Sequence, residues 1–184
     1  MNNTLRIACA LPFAWLAGQA QAHFVPAPCD FITGGGWVIA DSGAKVNFGA
    51  HGGCKHGDFW GHVNVLDHSS NPPGHLKSTR ITGYLMDPAF PNARDICGEG
   101  EVTHDGNRFA VRFRVRMEDN GEPGGSDRFG VHLNNGYVVS TRELGPAGPT
   151  GGGGNIQLHK PNPSTTGPVP APTEAQMCAG LGSP

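Results

Sequence analysis

The residues best suited to chemistry lie in a glycine-rich stretch at 119–129 (DNGEPGGSDRF), between two strand-like segments. Asp119, Asn120, Glu122 and Asp127 supply carboxylate and amide oxygens at short spacing, and these are the ligands that Ca²⁺ prefers. The spacing differs from that of an EF-hand loop, and Asp-Asn-Gly is equally good turn material. The stretch therefore predicts Ca²⁺ as the candidate cofactor, or a purely structural turn.

Four arginines alternate along one segment and form a second candidate site. Arg108, Arg112, Arg114 and Arg116 fall on one face of a predicted strand. Like charges two residues apart repel mildly, so something should compensate them. One interpretation is pairing with carboxylates of a neighbouring strand, for which Glu99 and Glu101 are suited. The other is an anionic glycan or protein ligand, because guanidinium groups bind carboxylates and sulfates well.

The histidines are a third candidate for chemistry, because neutral imidazole binds zinc and copper. Four of the nine lie within 51–68, but none shows the spacing of H-E-x-x-H. Cleavage after Ala22 would also make His23 the first residue of the mature chain. An N-terminal amine, its own imidazole and one further histidine resemble the copper brace of lytic polysaccharide monooxygenases. A copper-dependent oxidative enzyme or copper carrier is therefore an alternative function.

Other catalytic patterns receive little support from the sequence. Ser126 and Ser140 lack a nucleophile elbow, and no glycine-rich phosphate-binding motif follows a strand. A carboxylate pair for glycoside hydrolysis could come from Asp58, Asp67, Glu99 or Glu101, but their separation is open. Trp37 and Trp60 are the best candidates for stacking on sugars, with core packing as their default role. A non-catalytic protein is therefore favoured.

The elements that must position these residues are short strands. Residues 107–117 (NRFAVRFRVRM) alternate almost perfectly, with Phe109, Val111, Phe113, Val115 and Met117 on one face. Weaker alternation occurs at 37–40, 44–49, 62–66, 76–86, 100–104, 128–133, 136–141 and 155–159, separated by Asp/Asn-Gly turns. Eight or nine such strands predict an all-β domain, an antiparallel β-sandwich or jelly roll.

The ends of the chain and its cysteines indicate export. Residues 1–22 combine Arg6, a short apolar run and Ala20-Gln21-Ala22, the pattern of a secretory signal peptide. Cleavage two residues earlier is also compatible. Four cysteines then remain, which in an oxidising compartment predicts two disulfides. Of three possible connectivities we favour Cys54–Cys97 with Cys29–Cys178. The protein is expected to be extracellular or periplasmic.

Composition divides the mature chain into one domain and a tail. Residues 23–160 form the predicted β-sandwich, and 161–184 a tail rich in Pro, Ser and Thr that a disulfide ties back. The net charge of −2 at pH 7 gives no reason to expect nucleic acid as a partner. The apolar run is too short to span a membrane. A monomer is expected.

Several segments together resemble a known family. They are Cys29–Trp37 (CDFITGGGW), Ala44–Gly49 (AKVNFG), Gly52–Gly57 (GGCKHG), Asp119–Phe129 and Gly153–His159 (GGNIQLH). In this order they resemble the post-COAP domain family of secreted bacterial proteins. The resemblance implies a β-rich exported domain and transfers no catalytic residues.

From the residues and this resemblance we predict a secreted, non-catalytic module. Its expected role is binding a glycan or a protein surface, or extracellular structure. A calcium-stabilised accessory domain is a further alternative.

Overall fold

The computed structural model describes residues 22–70, 74–145, 152–165, 167–168 and 172–184. The predicted signal peptide, apart from Ala22, lies outside these residues. No helix in these ranges is long and apolar enough to cross a membrane. The described chain forms nine strands and one short helix, α1, at Glu174–Cys178. The strands are β1 Phe31–Ile39, β2 Lys45–Lys55, β3 Asp58–Asp67, β4 Gly74–Asp87, β5 Phe90–His104, β6 Asn107–Glu118, β7 Arg128–Leu133, β8 Val138–Glu143 and β9 Gly153–His159.

The strands form one antiparallel sheet in the order β8-β7-β6-β5-β4-β3-β2-β1-β9. The prediction of an all-β antiparallel domain is confirmed, but the prediction of two stacked sheets is wrong. Each strand from β1 to β7 pairs with the next one along the chain, and β9 returns to pair with β1, so all nine strands of the described residues belong to one sheet. The sheet curls instead, and its inner face packs against itself: Phe48 of β2 stacks on Phe129 of β7, with 3.9 Å between ring centroids.

The inner face carries the core that the alternation in β6 predicts. Val111, Phe113, Val115 and Met117 are buried, with Ile32, Val46, Phe48, Val63, Ile96 and Phe129 among their neighbours in the same core. Phe109 lies on the same side but is 54% exposed, because it stands at the open end of the curl. Burial of this apolar face is the main source of the sheet's stability.

All four cysteines among the described residues are paired, but the favoured connectivity is wrong. The bonds are Cys29–Cys54 and Cys97–Cys178. Cys29 lies just before β1, and the register Phe31↔Gly53 brings it beside Cys54 at the end of β2. Cys97 lies in the middle of β5 on the outer face, where the C-terminal segment covers it. The two disulfides indicate an oxidising environment.

The end of the tail contains a helix rather than only extended chain. Thr173 and Gln176 form a capping box at the start of α1, and Ala179 in the left-handed conformation ends it. Met177 and Cys178 are buried against Leu85 and Cys97 on the outer face of β4 and β5. The disulfide of this segment joins Cys178 to Cys97 instead of the predicted Cys29.

Candidate functional site

The outer face of β9, β1, β2, β3 and the start of β4 is rich in aromatic, amide and glycine residues. We call it the open face. Its side chains form rows across the strands, and apart from Gly53 and Gly153 its members are half-buried or exposed. The rows are His159, Phe31, Gly53 and Trp60; Gln157, Thr33, His51 and His62; Asn155, Gly35, Gly49, Asn64 and Lys77; and Gly153, Trp37, Asn47, Leu66 and His75.

Five rings form a continuous group at one end of the open face. Phe31 stacks on His159 with 4.4 Å between ring centroids and is 6.2 Å from Trp60 in a tilted arrangement. His51 is 5.3 Å from Trp60 and 6.3 Å from His62. The group spans the four strands β9, β1, β2 and β3, so it forms a platform of ring faces and edges.

Glycines keep the surface between the rings low. A Cβ at Gly53 would stand 2.6 Å from the Cβ of Phe31, so only glycine fits between Phe31 and Trp60. A Cβ at Gly153 would be 2.8 Å from the indole nitrogen of Trp37, which shows that this ring lies over β9. Lys45 places its Nζ 4.6 Å from the centroid of the Trp37 ring. Trp37 is therefore held in a fixed place at the other end of the face.

Amide and imidazole side chains lie between the two aromatic ends of the open face. Oδ1 of Asn64 accepts a hydrogen bond from Nε2 of His75, and Oδ1 of Asn47 accepts one of 2.9 Å from Nε2 of His68. Asn155 donates to Glu122 at 3.0 Å. Burial and the nearby His62 lower the pKa of His51, and burial and Lys77 lower that of His75. These imidazoles are therefore neutral at pH 7 and offer one donor and one acceptor each.

Trp37 and Trp60 do not lie in the core, which was the default role given to them by the sequence. Core packing was the expectation, whereas both lie on the outer face and are half-buried. Their positions follow from alternation: Ile32 and Val38 of β1 point into the curl, so Phe31 and Trp37 point out. The alternation that places both rings outside is present in the sequence, but it can be recognised only if the predicted strand at 37–40 begins at Phe31 instead.

The predicted arginine stripe divides into two parts. Arg112 lies 3.2 Å from Glu99 and Arg108 lies 3.9 Å from Glu101, so the carboxylate-pairing interpretation describes both. Arg114 and Arg116 are buried, because the chain ends cover the outer face of this part of β6. Arg114 contacts Asp95 at 2.5 Å and Glu174 at 2.7 Å; Arg116 contacts Asp87 and Glu118. The four do not form one exposed surface.

The predicted calcium loop holds the outer edge of β9. Asp119 accepts hydrogen bonds from the N–H groups of Gly121 and Leu158, and Asp127 from those of Asn120 and Ile156. Glu122 accepts from Asn155. Among the described residues no group of three or more His, Cys, Asp or Glu side chains is arranged to hold a metal ion. The structure thus gives these oxygens backbone partners, and calcium stays a prediction.

Burial shifts the pKa of one carboxylate of this loop, that of Asp127. It raises the pKa of Asp127, which is fully buried; the two backbone N–H groups oppose that rise, and the charges of Asp119 and Glu122 add to it. The carboxylates of the loop thus lie together at the edge of β9, where they accept hydrogen bonds from the N–H groups of Ile156 and Leu158.

His23 lies among carboxylates. Its Nδ1 is 2.9 Å from Glu174, and its Nε2 is 3.2 Å from Asp87 and 3.7 Å from Asp95. A copper brace requires a second histidine and free ring nitrogens. Both ring nitrogens of His23 face oxygen atoms instead, so this geometry does not favour the copper alternative.

A concave feature opens on the inner side of the curl. It is a cavity of about 340 Å³ at the end of the sheet where Phe109 is exposed. Tyr137 donates a hydrogen bond of 2.7 Å to Asp67 beside it, and burial together with Asp67 raises the pKa of Tyr137 strongly. Its lining is mixed: Val65, Leu76, Val102, Phe109, Leu133 and Tyr137 are among the apolar residues, and Asp67, His75 and His104 are among the polar ones.

In comparisons with known proteins, no family model, no curated protein and no solved structure matches this chain. The resemblance to the post-COAP domain family therefore stays a prediction.

Proposed function

We propose that this protein is a secreted glycan-binding domain and that its binding site is the open face. The observation that carries the proposal is the group of five rings across β9, β1, β2 and β3, with Trp37 at the opposite end of the same face. Aromatic rings offer an apolar face of large area, against which the C–H groups of a sugar ring can pack. The disulfides agree with a place outside the cytoplasm, extracellular or periplasmic.

The length of the open face suits a chain rather than a single sugar. Phe31 and Trp37 are six residues apart on β1, which corresponds to about 20 Å along a strand. Amide and imidazole groups lie between them and can exchange hydrogen bonds with hydroxyl groups. A glycan lying along β1 would therefore meet rings at both ends and polar groups in the middle.

The charges favour a neutral glycan over an anionic one. Binding to uronic acids or sulfates relies on guanidinium groups. Arg108 and Arg112 face Glu101 and Glu99, and Arg114 and Arg116 are buried in ion pairs. Lys77 is the single lysine in the rows of the open face, and these rows contain no arginine, aspartate or glutamate. We therefore propose a neutral polysaccharide as the ligand, rather than the anionic ligand that the arginines suggested.

The test is binding of the mature protein to a panel of polysaccharides by pull-down and affinity electrophoresis, with neutral and anionic members. We expect retention on a neutral polysaccharide. We expect Trp60→Ala and Trp37→Ala each to weaken binding tenfold or more, about 1.4 kcal/mol, because each removes a ring that the ligand covers.

Phe109→Ala is the matched control. Phe109 is also an exposed aromatic residue, but it lines the cavity on the inner face. Its substitution should leave polysaccharide binding unchanged. If Phe109→Ala abolishes binding while the two tryptophan variants retain it, the ligand occupies the cavity and the proposal is wrong. Binding only to anionic members would also contradict it.

A further inference from the structure

The buried charges around His23 have a use that the glycan site does not require. The backbone N–H of His23 lies 3.2 Å from Oε2 of Glu174, while the imidazole of the same residue lies 2.9 Å from Oε1. One carboxylate thus contacts both the backbone nitrogen and the side chain of His23. Next to it, the backbone of Phe24 pairs with Met86 of β4 through two hydrogen bonds, which fixes the position of His23.

Carboxylates outnumber guanidinium groups beside His23. Asp87 of β4, Asp95 of β5 and Glu174 of α1 surround it, against Arg114 and Arg116 of β6. Arg116 is shared with Glu118, which also has Arg128 of β7 at 4.0 Å on its far side. Asp95 Oδ1 is buried and accepts no hydrogen bond within the described part of the chain. The cluster thus has three carboxylates beside two guanidinium groups and the imidazole of His23, and Asp95 Oδ1 lacks a donor among the described residues.

We propose that cleavage between Ala22 and His23 creates an α-ammonium group that forms an ion pair with Glu174 and locks α1 onto the sheet. In this step a signal peptidase adds water across the Ala22–His23 peptide bond, giving a carboxylate on Ala22 and an ammonium on His23. The backbone nitrogen of His23 already lies next to the carboxylate of Glu174, so the new ammonium group forms beside a negative charge. The N-terminus and α1, 151 residues apart, are then held together.

The positive groups around Glu174 lower its pKa. Burial alone would raise its pKa, but the hydrogen bond and charge of Arg114, together with His23, hold the pKa below the ordinary value. An ammonium group at His23 adds a further positive charge at the second oxygen. Partly buried ion pairs are screened less by solvent than exposed ones, so the added contact should affect stability.

The experiment compares two secreted products that the sequence permits: a protein beginning at His23 and one beginning at Gln21. The second moves the charged end away from Glu174. We expect the His23 form to melt about 2–6 °C higher at pH 7, since for a chain of this size each kcal/mol shifts Tm by a few degrees. Equal melting temperatures would overturn the proposal.

Glu174→Gln in both forms completes a double-mutant cycle. The difference between the two forms should disappear in this background, and a difference that persists would overturn the proposal. Glu143→Gln, an exposed substitution on β8, is the control and should preserve the difference. If Glu174→Gln fails to fold, amine acylation read by mass spectrometry gives the answer on unsubstituted protein. The α-amine of His23 should react at least tenfold more slowly in folded than in urea-unfolded protein; equal rates would overturn the ion pair.

Copper provides a last check on the same group. Stoichiometric Cu²⁺ binding with a nitrogen signature of the N-terminal amine in electron paramagnetic resonance would overturn the ion pair, because the amine would then be a metal ligand.

Discussion

Asp127 is a fully buried carboxylate that joins two segments of the chain. Its oxygens accept hydrogen bonds from Asn120 in the same loop, at 2.8 Å, and from Ile156 in β9, at 2.7 Å. β9 is an edge strand, and such strands expose rows of unpaired N–H groups unless something covers them. The aspartates of the loop cover this edge, so their arrangement has a structural reason independent of a metal.

We expect Asp127→Asn to lower the free energy of unfolding by about 1–3 kcal/mol, because an amide NH₂ would face one of the two N–H groups and leave it unsatisfied. Urea unfolding of both proteins measures the change. Asp105→Asn is the control, since Asp105 is exposed in a turn with φ of 49°, where asparagine is readily accepted. If Asp127→Asn lowers the free energy of unfolding in the presence of Ca²⁺ but not after Ca²⁺ has been removed, the calcium hypothesis would be supported instead.

The arginines of β6 illustrate what the sequence can predict about single residues. Alternation correctly separates Arg112 and Arg114 from Phe113, which points into the core. It cannot distinguish Arg112, which is exposed, from Arg114, which is 1% exposed. That difference depends on residues 174–184 covering one part of the outer face, a contact between segments about 60 residues apart. Strand periodicity contains no information about such a cover.

The helix α1 is the element most weakly supported by its own sequence. Five residues are too few for a stable isolated helix, so its packing and its disulfide must hold it. Met177 packs on Gly83 of β4, where a Cβ would stand 2.4 Å from the Met177 Cβ. The motif Thr173-x-x-Gln176 could have indicated the helix start, but the proline-rich composition before it suggested extended chain.

We expect the double variant Cys97→Ala/Cys178→Ala to release α1 while the sheet persists. The bond closes a separation of 81 residues, for which the chain-entropy model gives about 4–5 kcal/mol of stabilisation. Limited proteolysis should cut the segment 172–184 in this variant and not in the wild type. Circular dichroism should retain the β-sheet signal.

Cys29→Ala/Cys54→Ala is the matched control for that prediction. Its bond spans 25 residues at the start of the sheet and should cost about 3–4 kcal/mol in the same model. The segment 172–184 should stay protected in this variant. Equal cleavage of the segment in both variants would show that α1 is not held by its own disulfide.

At the scale of the whole molecule, the strands were predictable and their arrangement was not. The alternating segments and their Gly-containing turns predict eight or nine antiparallel strands, and the described residues form nine. Two stacked sheets and one curled sheet, however, both need strands with one apolar face, so the pattern is the same for either. The difference lies in which strands pair, above all in β9 returning to β1, a choice made by contacts far apart in sequence. The open face exists because of that return.

The curl itself can be tested through Phe48 and Phe129. The two rings stack at 3.9 Å although β2 and β7 are five places apart in the sheet, so they meet only when the inner face folds onto itself. We expect Phe48→Leu, Phe129→Leu and the double variant to reveal a coupling of about 0.5–1.5 kcal/mol in urea unfolding, the usual range for an aromatic pair.

The pair Phe48 and Phe109 is the control: both side chains point to the inner side, but Phe109 lies at its exposed end, and coupling below about 0.3 kcal/mol is expected. Coupling as small for Phe48 and Phe129 would mean that β2 and β7 do not meet. The core would then need another partner for each, because an uncurled sheet of nine strands leaves its apolar face in water.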